Sequence, residues 1–133
     1  MQGRRAGDRP EAKPRRAGDE FAAYVADMLT PLGPVQVGRL FSGHGFKLDG
    51  VQFAMILRGM LYLRVDDALA AELSALGSLP FSYQTERHSM TIRSYYAVPP
   101  DRLDEADQLL AWARRAVQAA LAKPRRRKKG APA

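Results

Sequence analysis

Residues 35–65 read VQVGRLFSGHGFKLDGVQFAMILRGMLYLRV, an apolar segment interrupted by short polar breaks. Asp49-Gly50 lies between two apolar runs, and this dipeptide is a strong two-residue hairpin signal because both residues tolerate a positive φ. Arg58-Gly59 marks a second turn, between residues 51–57 and 60–65. Strands joined by such short turns are antiparallel neighbours, so the segment predicts a meander of three strands.

The first strand of this meander contains a polar, glycine-rich interruption. Ser42, Gly43, His44 and Gly45 form the one place where a hydroxyl nucleophile, an imidazole and flexible backbone occur together. Backbone N–H groups can hold an anion there, and a histidine can titrate near neutral pH. A tight loop or β-bulge with a solvent-exposed His44 explains the same residues without chemistry. Because neither a phosphate-loop motif nor the dinucleotide-binding glycine spacing occurs, we interpret the four residues as an interaction loop and assign no catalytic or cofactor-binding residue.

Helices are predicted on both sides of the meander. Apolar residues recur at i, i+3, i+4 and i+7 before it, which predicts a helix from about Asp19 to Leu32. After it, Asp66 or Asp67 is expected to cap a second helix that ends at Gly77. A helix cap explains these carboxylates without a metal ion, so no metal site is assigned to them.

The rest of the chain predicts two further strands and a long helix. Strands are expected over residues 81–85 and 91–98, and a helix over 101–122 whose acidic start and basic end match the helix dipole. Trp112 lies on the apolar side of this helix, so we expect it to be buried against the sheet. The resulting order, α-β-β-β-α-β-β-α, predicts an α+β fold: a two-layer α/β sandwich with an antiparallel sheet of about five strands.

Aromatic residues on the predicted strands allow two interpretations. Tyr95 and Tyr96 are adjacent, so they point to opposite faces of the sheet. One is expected to pack under a helix, and the other to lie on the open face or in an interface. With Tyr62, Phe81 and Tyr83 they are also compatible with a stacking platform for single-stranded nucleic acid. The small number of basic neighbours favours packing.

Short motifs spread over residues 21–121 carry a family resemblance. In chain order they are Leu32-Gly33-Pro34-Val35, Leu40-Phe41-Ser42-Gly43-His44-Gly45, Asp49-Gly50-Val51-Gln52-Phe53, Leu61-Tyr62-Leu63-Arg64-Val65-Asp66, Pro80-Phe81-Ser82-Tyr83, Ser94-Tyr95-Tyr96-Ala97-Val98-Pro99 and Trp112-Ala113-Arg114-Arg115-Ala116. In order and spacing the chain resembles the N-terminal domain of the TfoX/Sxy family. It departs from the family at Ser42, where the usual Met-Phe-Gly-Gly pattern has a glycine.

The resemblance implies a secretion-chaperone-like α/β sandwich, in agreement with the predicted order of elements. Members of this family are regulators associated with DNA competence, so the resemblance also implies a non-enzymatic protein that interacts with a protein partner in transcription or competence regulation. Full-length competence regulators of the family carry a second, helical C-terminal domain, and this chain is expected to be a single-domain relative. The alternative is a dimerising chaperone-like or adaptor protein that binds no nucleic acid.

Positive charge is concentrated at the two ends of the chain. The 21 basic and 14 acidic side chains give a formal net charge of +7. Residues 1–19 contribute +3 and residues 123–133 contribute +6, whereas residues 20–122 carry nine basic and eleven acidic groups. Few apolar residues occur at the ends, which predicts disordered tails over 1–18 and 123–133 around a folded domain, 19–122. The C-terminal cations are Lys123, Arg125, Arg126, Arg127, Lys128 and Lys129. Such a run of cations is able to bind nucleic acid without sequence specificity. The alternatives are a solvated tail that keeps the protein soluble and weak attachment to an anionic membrane surface.

Missing residue types and patterns exclude several classes of protein. The sequence has no cysteine, which excludes disulfide scaffolds, thiolate catalysis, iron–sulfur clusters and cysteine-based zinc sites. Its longest apolar run is six residues, far below the ~20 that a membrane helix needs, so we expect no membrane insertion. No secretory signal follows the first methionine, and the protein is expected to be cytoplasmic and to need no cofactor.

Overall fold

The computed structural model describes residues 17–122. The helices are α1 (Ala17–Met28), α2 (Asp67–Ala75) and α3 (Ala106–Ala122), and the strands are β1 (Gln36–Leu40), β2 (Gly43–Leu48), β3 (Val51–Leu57), β4 (Met60–Arg64), β5 (Pro80–Gln84) and β6 (Ser89–Ala97). The tails predicted over residues 1–18 and 123–133 lie outside the described residues, apart from Ala17 and Gly18 in the first turn of α1.

The six strands form one antiparallel sheet in the order β1-β2-β3-β4-β6-β5. The predicted α+β fold is confirmed, with six strands where about five were expected. The additional strand results from a turn at Phe41 and Ser42, which divides the first predicted strand into β1 and β2. Leu40 and Gly43, on the two sides of this turn, pair with each other. The glycine-rich segment predicted as a loop is therefore a turn followed by the start of β2.

Both dipeptides predicted as turns have the backbone that tight hairpins require. The φ angles are 53° and 81° at Asp49 and Gly50, and 55° and 77° at Arg58 and Gly59. Two consecutive positive φ angles match the twist of the flanking strands, as in a type I′ turn. The predicted meander is confirmed, and β1 extends it by one strand.

The three helices contribute to one buried cluster with one face of the sheet, which we call the helix face. Trp112 of α3 is 2% exposed in this cluster, which confirms its predicted burial. Phe46 of β2 pairs with Ala54 of β3, and the next residue of β2, Lys47, pairs with Gln52. Phe53 is therefore left without a partner in β2 and forms a β-bulge in β3. Phe53 and Ala54 consequently both enter the cluster.

The helix ends differ in how closely they follow the prediction. The Asp66 side chain accepts a hydrogen bond from the Leu69 N–H at 2.9 Å, which confirms the predicted cap of α2. α3 begins at Ala106 rather than near residue 101, since Pro100–Arg102 forms a separate 3₁₀ turn. No helix within residues 17–122 combines the length and hydropathy needed to cross a bilayer.

Candidate interaction surface

The second face of the sheet carries its own apolar cluster. Met55, Leu57 and Tyr95 are buried there, and no helix residue in the described part of the chain belongs to this cluster. We call this side the open face. Tyr95 lies on it, whereas the adjacent Tyr96 packs against the cluster of the helix face. The predicted division of these two tyrosines is confirmed, as the alternation of side chains along a strand requires.

A groove of about 550 Å³ lies on the open face. It is bordered by Leu40 of the edge strand β1 and by Phe81 of the opposite edge strand β5, with Met55 of the inner strand β3 between them. Since both edges of the sheet border the same groove, the open face is concave. The volume lies within the range of about 300–1,000 Å³ that is typical of ligand-binding pockets. The remaining lining residues are Phe41, Ser42, Gln52, Leu57, Arg58, Tyr83, Ile92 and Tyr95.

Aromatic rings on the open face pack against one another. The Phe81 ring meets the Tyr62 ring edge-on, with 5.1 Å between the ring centroids, and stacks on the Tyr83 ring at 5.9 Å. Burial raises the pKa of the Tyr62 hydroxyl, and the charge of the nearby Arg58 partly opposes this. These rings contact each other rather than forming a row of free stacking surfaces, which favours the packing interpretation of the aromatic residues.

Positive charge borders the groove. Arg58 lines it at the β3–β4 turn. Arg64, the last residue of β4, places its guanidinium carbon 5.6 Å from the centroid of the Tyr95 ring, a cation–π contact. The Tyr95 hydroxyl also accepts a hydrogen bond from the Gln52 amide at 3.2 Å. Among residues 17–122, none that lines the groove is acidic, so this surface combines apolar side chains with positive charge.

The structure separates Ser42 from His44. Ser42 lies in the β1–β2 turn and lines the groove on the open face. The His44 ring points to the helix face, where its Nε2 lies 3.1 Å from the Asp19 carboxylate of α1. Its side chain is only 13% exposed, so the expectation of a solvent-exposed His44 is wrong. The hydroxyl and the imidazole therefore do not form a nucleophile and base pair.

The glycines beside His44 serve the packing of the hairpin. A Cβ atom on Gly43 would lie 1.8 Å from the Ile56 carbonyl oxygen, and one on Gly45 would lie 2.9 Å from the Gln52 side chain. Both positions belong to β2 and are buried. Of the predicted interaction loop, Ser42 lies in the β1–β2 turn, whereas Gly43, His44 and Gly45 belong to β2; its role in binding stays a prediction.

Phe41 is a candidate interaction residue that the sequence does not single out, because the segment around it predicts one strand whose interruption begins at Ser42. Its side chain is 87% exposed, more than that of any other large apolar residue within residues 17–122. Its φ of 54° lies in the left-handed region, which costs a bulky residue roughly 1–2 kcal/mol. The available signal was the following Ser42-Gly43 dipeptide, which is typical of a turn.

Two other predictions concern charged groups. Within residues 17–122 no group of three or more histidine or carboxylate side chains is placed to hold a metal ion. The predicted nucleic-acid-binding residues, Lys123 and the five cations of residues 125–129, lie outside the described residues. Their role remains a prediction from the sequence.

Comparison with known proteins connects this chain to a family. The profile of the TfoX N-terminal domain matches residues 27–120, which include every strand of the sheet as well as α2. The DNA transformation protein TfoX of Haemophilus influenzae is 34% identical to this chain over 82 residues. That alignment covers 60% of this chain and 38% of the relative, so the chain matches well under half of the relative's length.

Proposed function

This chain belongs to the TfoX N-terminal domain family, and from that membership we propose that it is a non-enzymatic regulatory protein of DNA competence. In this proposal it binds a protein partner and thereby changes transcription. The observation that carries the proposal is the family match over residues 27–120. The relative from Haemophilus influenzae is named a DNA transformation protein, and a competence role reaches this chain through the domain that the two proteins share.

The positions of Ser42 and His44 support a non-enzymatic role. A serine nucleophile needs a base within hydrogen-bond reach, and the base is in turn oriented by a third group. His44 has such an orienting partner in Asp19, at 3.1 Å. Ser42, however, lines the opposite side of the sheet. The pair His44–Asp19 instead joins β2 to α1.

The C-terminal cations add a second contact, with nucleic acid. Residues 123–129 hold six cations, whereas residues 20–122 carry nine basic and eleven acidic groups. Cations that neutralise phosphates bind nucleic acid without reading its sequence. The tail therefore holds the protein near DNA in the cytoplasm, and selectivity for particular genes comes from the protein partner.

Deletion of the gene in its bacterial host tests this proposal. We expect a lower frequency of transformation by added DNA and lower transcript levels for a defined set of genes, both restored by a plasmid copy. A deletion strain with normal transformation and normal transcripts would contradict the proposal. If the protein is instead a chaperone-like adaptor, transcripts stay the same while the soluble amount of one partner protein falls.

A further inference from the structure

We propose that the groove on the open face binds a short acidic and apolar segment of the partner protein. This inference rests on the proposed role as a protein-binding regulator and specifies the chemistry of what is bound. The apolar side chains of the segment lie on Met55, Leu57 and Tyr95, and its carboxylates meet Arg58 and Arg64.

Charge complementarity is the first argument for such a segment. The described part of the chain contributes no acidic residue to the groove lining, and Arg58 borders the groove directly. Arg64 lies over the ring of Tyr95, which is itself a lining residue. A bound segment that brings carboxylates to these two guanidinium groups forms charge-assisted hydrogen bonds with them.

The spacing of the two arginines defines the segment further. Arg58 precedes β4 and Arg64 ends it, so about five residues of extended chain separate them, roughly 15–20 Å at the rise of a β-strand. An extended segment covers the same distance with about four or five apolar residues between two acidic ends. Met55 of the groove lies between these charges, because it pairs with Tyr62 in the middle of β4.

Phe41 is the second argument. It sits at the rim of the groove with its side chain almost fully exposed and its backbone strained. Phe41 has the positive φ of the first residue in a two-residue hairpin turn, as Asp49 and Arg58 do, so its exposed side chain stands at the tip of a turn. Large aromatic side chains are also frequent among the few residues that dominate binding at protein interfaces. A segment seated in the groove buries the Phe41 ring, which nothing in the described fold does.

Charge argues against two other occupants, and ring packing argues against a third. The tails of this chain carry +3 over residues 1–19 and +6 over residues 123–133, so neither complements Arg58 and Arg64. A second copy placed face to face would oppose the same arginines without bringing a carboxylate to them. Single-stranded nucleic acid has the right charge, but the Phe81 ring is already engaged by Tyr62 and Tyr83.

A designed peptide tests the proposal directly. The probe is a fluorescein-labelled peptide of sequence Glu-Glu-Leu-Phe-Leu-Phe-Glu-Glu, and its control has lysine in place of every glutamate. The protein is the full chain with five tail residues changed to alanine, which removes attraction between the tail and the peptide. These residues are Arg125, Arg126, Arg127, Lys128 and Lys129. Fluorescence anisotropy measures binding, and we expect the glutamate peptide to bind and the lysine peptide not to bind.

Two substitutions locate the binding in the groove. Phe41→Gly and Arg58→Glu are each expected to weaken binding of the glutamate peptide by about tenfold or more, as changes at dominant interface residues do. Because glycine accepts a positive φ, Phe41→Gly should keep or raise the temperature of unfolding. The matched controls are Leu121→Ser and Arg114→Glu, exposed changes on α3 that should leave binding unchanged.

Several outcomes would overturn this inference. One is that the glutamate peptide does not bind, and another is that it binds equally to the Phe41→Gly and Arg58→Glu proteins. A third is binding of oligothymidylate to the same protein with loss in these two variants, which assigns the groove to nucleic acid. A dimer in sedimentation that Phe41→Gly dissociates assigns it to a second copy. These outcomes leave the gene-deletion test of the proposed function independent, since that test does not involve the groove.

Discussion

Gly43 marks a very close approach of β2 to the backbone of β3. A Cβ atom there would lie 1.8 Å from the Ile56 carbonyl oxygen, and a backbone atom held in the sheet cannot rotate away. We expect Gly43→Ala to lower the free energy of unfolding by about 3 kcal/mol, the upper end for overpacked sites. Gly38→Ala on β1 is the control, because nothing lies within 4 Å of its Cβ position. Urea denaturation measures both variants, and equal stabilities would show that β2 can move away from β3.

Trp112 combines deep burial with one polar contact. Its ring belongs to the cluster of the helix face, and its Nε1–H donates a hydrogen bond to Glu72 of α2 at 3.1 Å. We expect Trp112→Ala to lower the free energy of unfolding by about 3–5 kcal/mol, as other large-to-small core changes do. Because Trp112 is the one tryptophan of the chain, circular dichroism should follow the unfolding. Leu121→Ala, at an exposed position of the same helix, is the control. If it lowered the free energy of unfolding as much as Trp112→Ala, the effect would come from a weakened helix and not from a loss of core packing.

Single residues were predictable where a local rule decides their role. The cap at Asp66 and the opposite faces of Tyr95 and Tyr96 follow from the residues themselves. The orientation of His44 was not predictable in this way, since glycines on both sides of it suggest a loop. His44 lies in a strand because it pairs with Ile56, and only the folded sheet shows that pairing.

Glu72 joins α2 to α3. Its carboxylate accepts hydrogen bonds from Arg115 at 2.6 Å and from Trp112. These two hydrogen bonds hold the pKa of the carboxyl below the ordinary 4.5, and the one from Arg115 has the larger effect. The folded state therefore favours the ionised form. The resulting stability is complete above pH 4.5 and is lost as the pH falls through the lowered pKa.

Glu72→Gln should consequently reduce the temperature of unfolding at neutral pH and have no effect at a pH below the lowered pKa. The loss at neutral pH should be about 1 kcal/mol or less, since the ion pair is exposed to solvent. Thermal unfolding of both proteins over a series of pH values measures this. Glu86→Gln, at the exposed tip of the β5–β6 hairpin, controls for the loss of one negative charge. A constant difference between wild type and Glu72→Gln at every pH would contradict the role assigned to ionised Glu72.

The elements were predictable to the extent that turns and caps punctuate the sequence. The turns at Asp49-Gly50 and Arg58-Gly59 delimit β3, and their glycines make them visible. The turn between β1 and β2 has Phe41 at the position with a positive φ. Because phenylalanine does not signal a turn, the sequence predicts β1 and β2 as one strand. Phe81 and Ile92, which line the groove, lie next to a register shift in which Pro80 pairs with Tyr96 but Phe81 pairs with Ile92, and no local pattern encodes such an irregularity.

Across the whole molecule, the net positive charge and the large apolar residues occupy different parts of the sequence. The sequence places most large apolar residues between the two charged ends, and the structure builds both apolar clusters from that span. Independent folding of residues 19–122 remains a prediction. Since residues 20–122 carry nine basic and eleven acidic groups, the folded part has no net attraction for phosphate.

Affinity for nucleic acid should therefore come from the tails. Residues 123–129 hold six cations, and engagement of five or six phosphates predicts a log–log salt slope of roughly −4.5 to −5.4 on duplex DNA. Changing the five cations of residues 125–129 to alanine should remove most of the affinity and flatten this slope. The same change should leave the temperature of unfolding unaltered, because these five residues are all charged and such side chains are rarely part of a buried core. Shift assays at several salt concentrations, with duplexes of unrelated sequence, measure slope and specificity together. Tight binding of one particular sequence by the alanine protein would instead locate nucleic-acid recognition on the folded domain, where the groove and the Phe41 turn offer a surface for it.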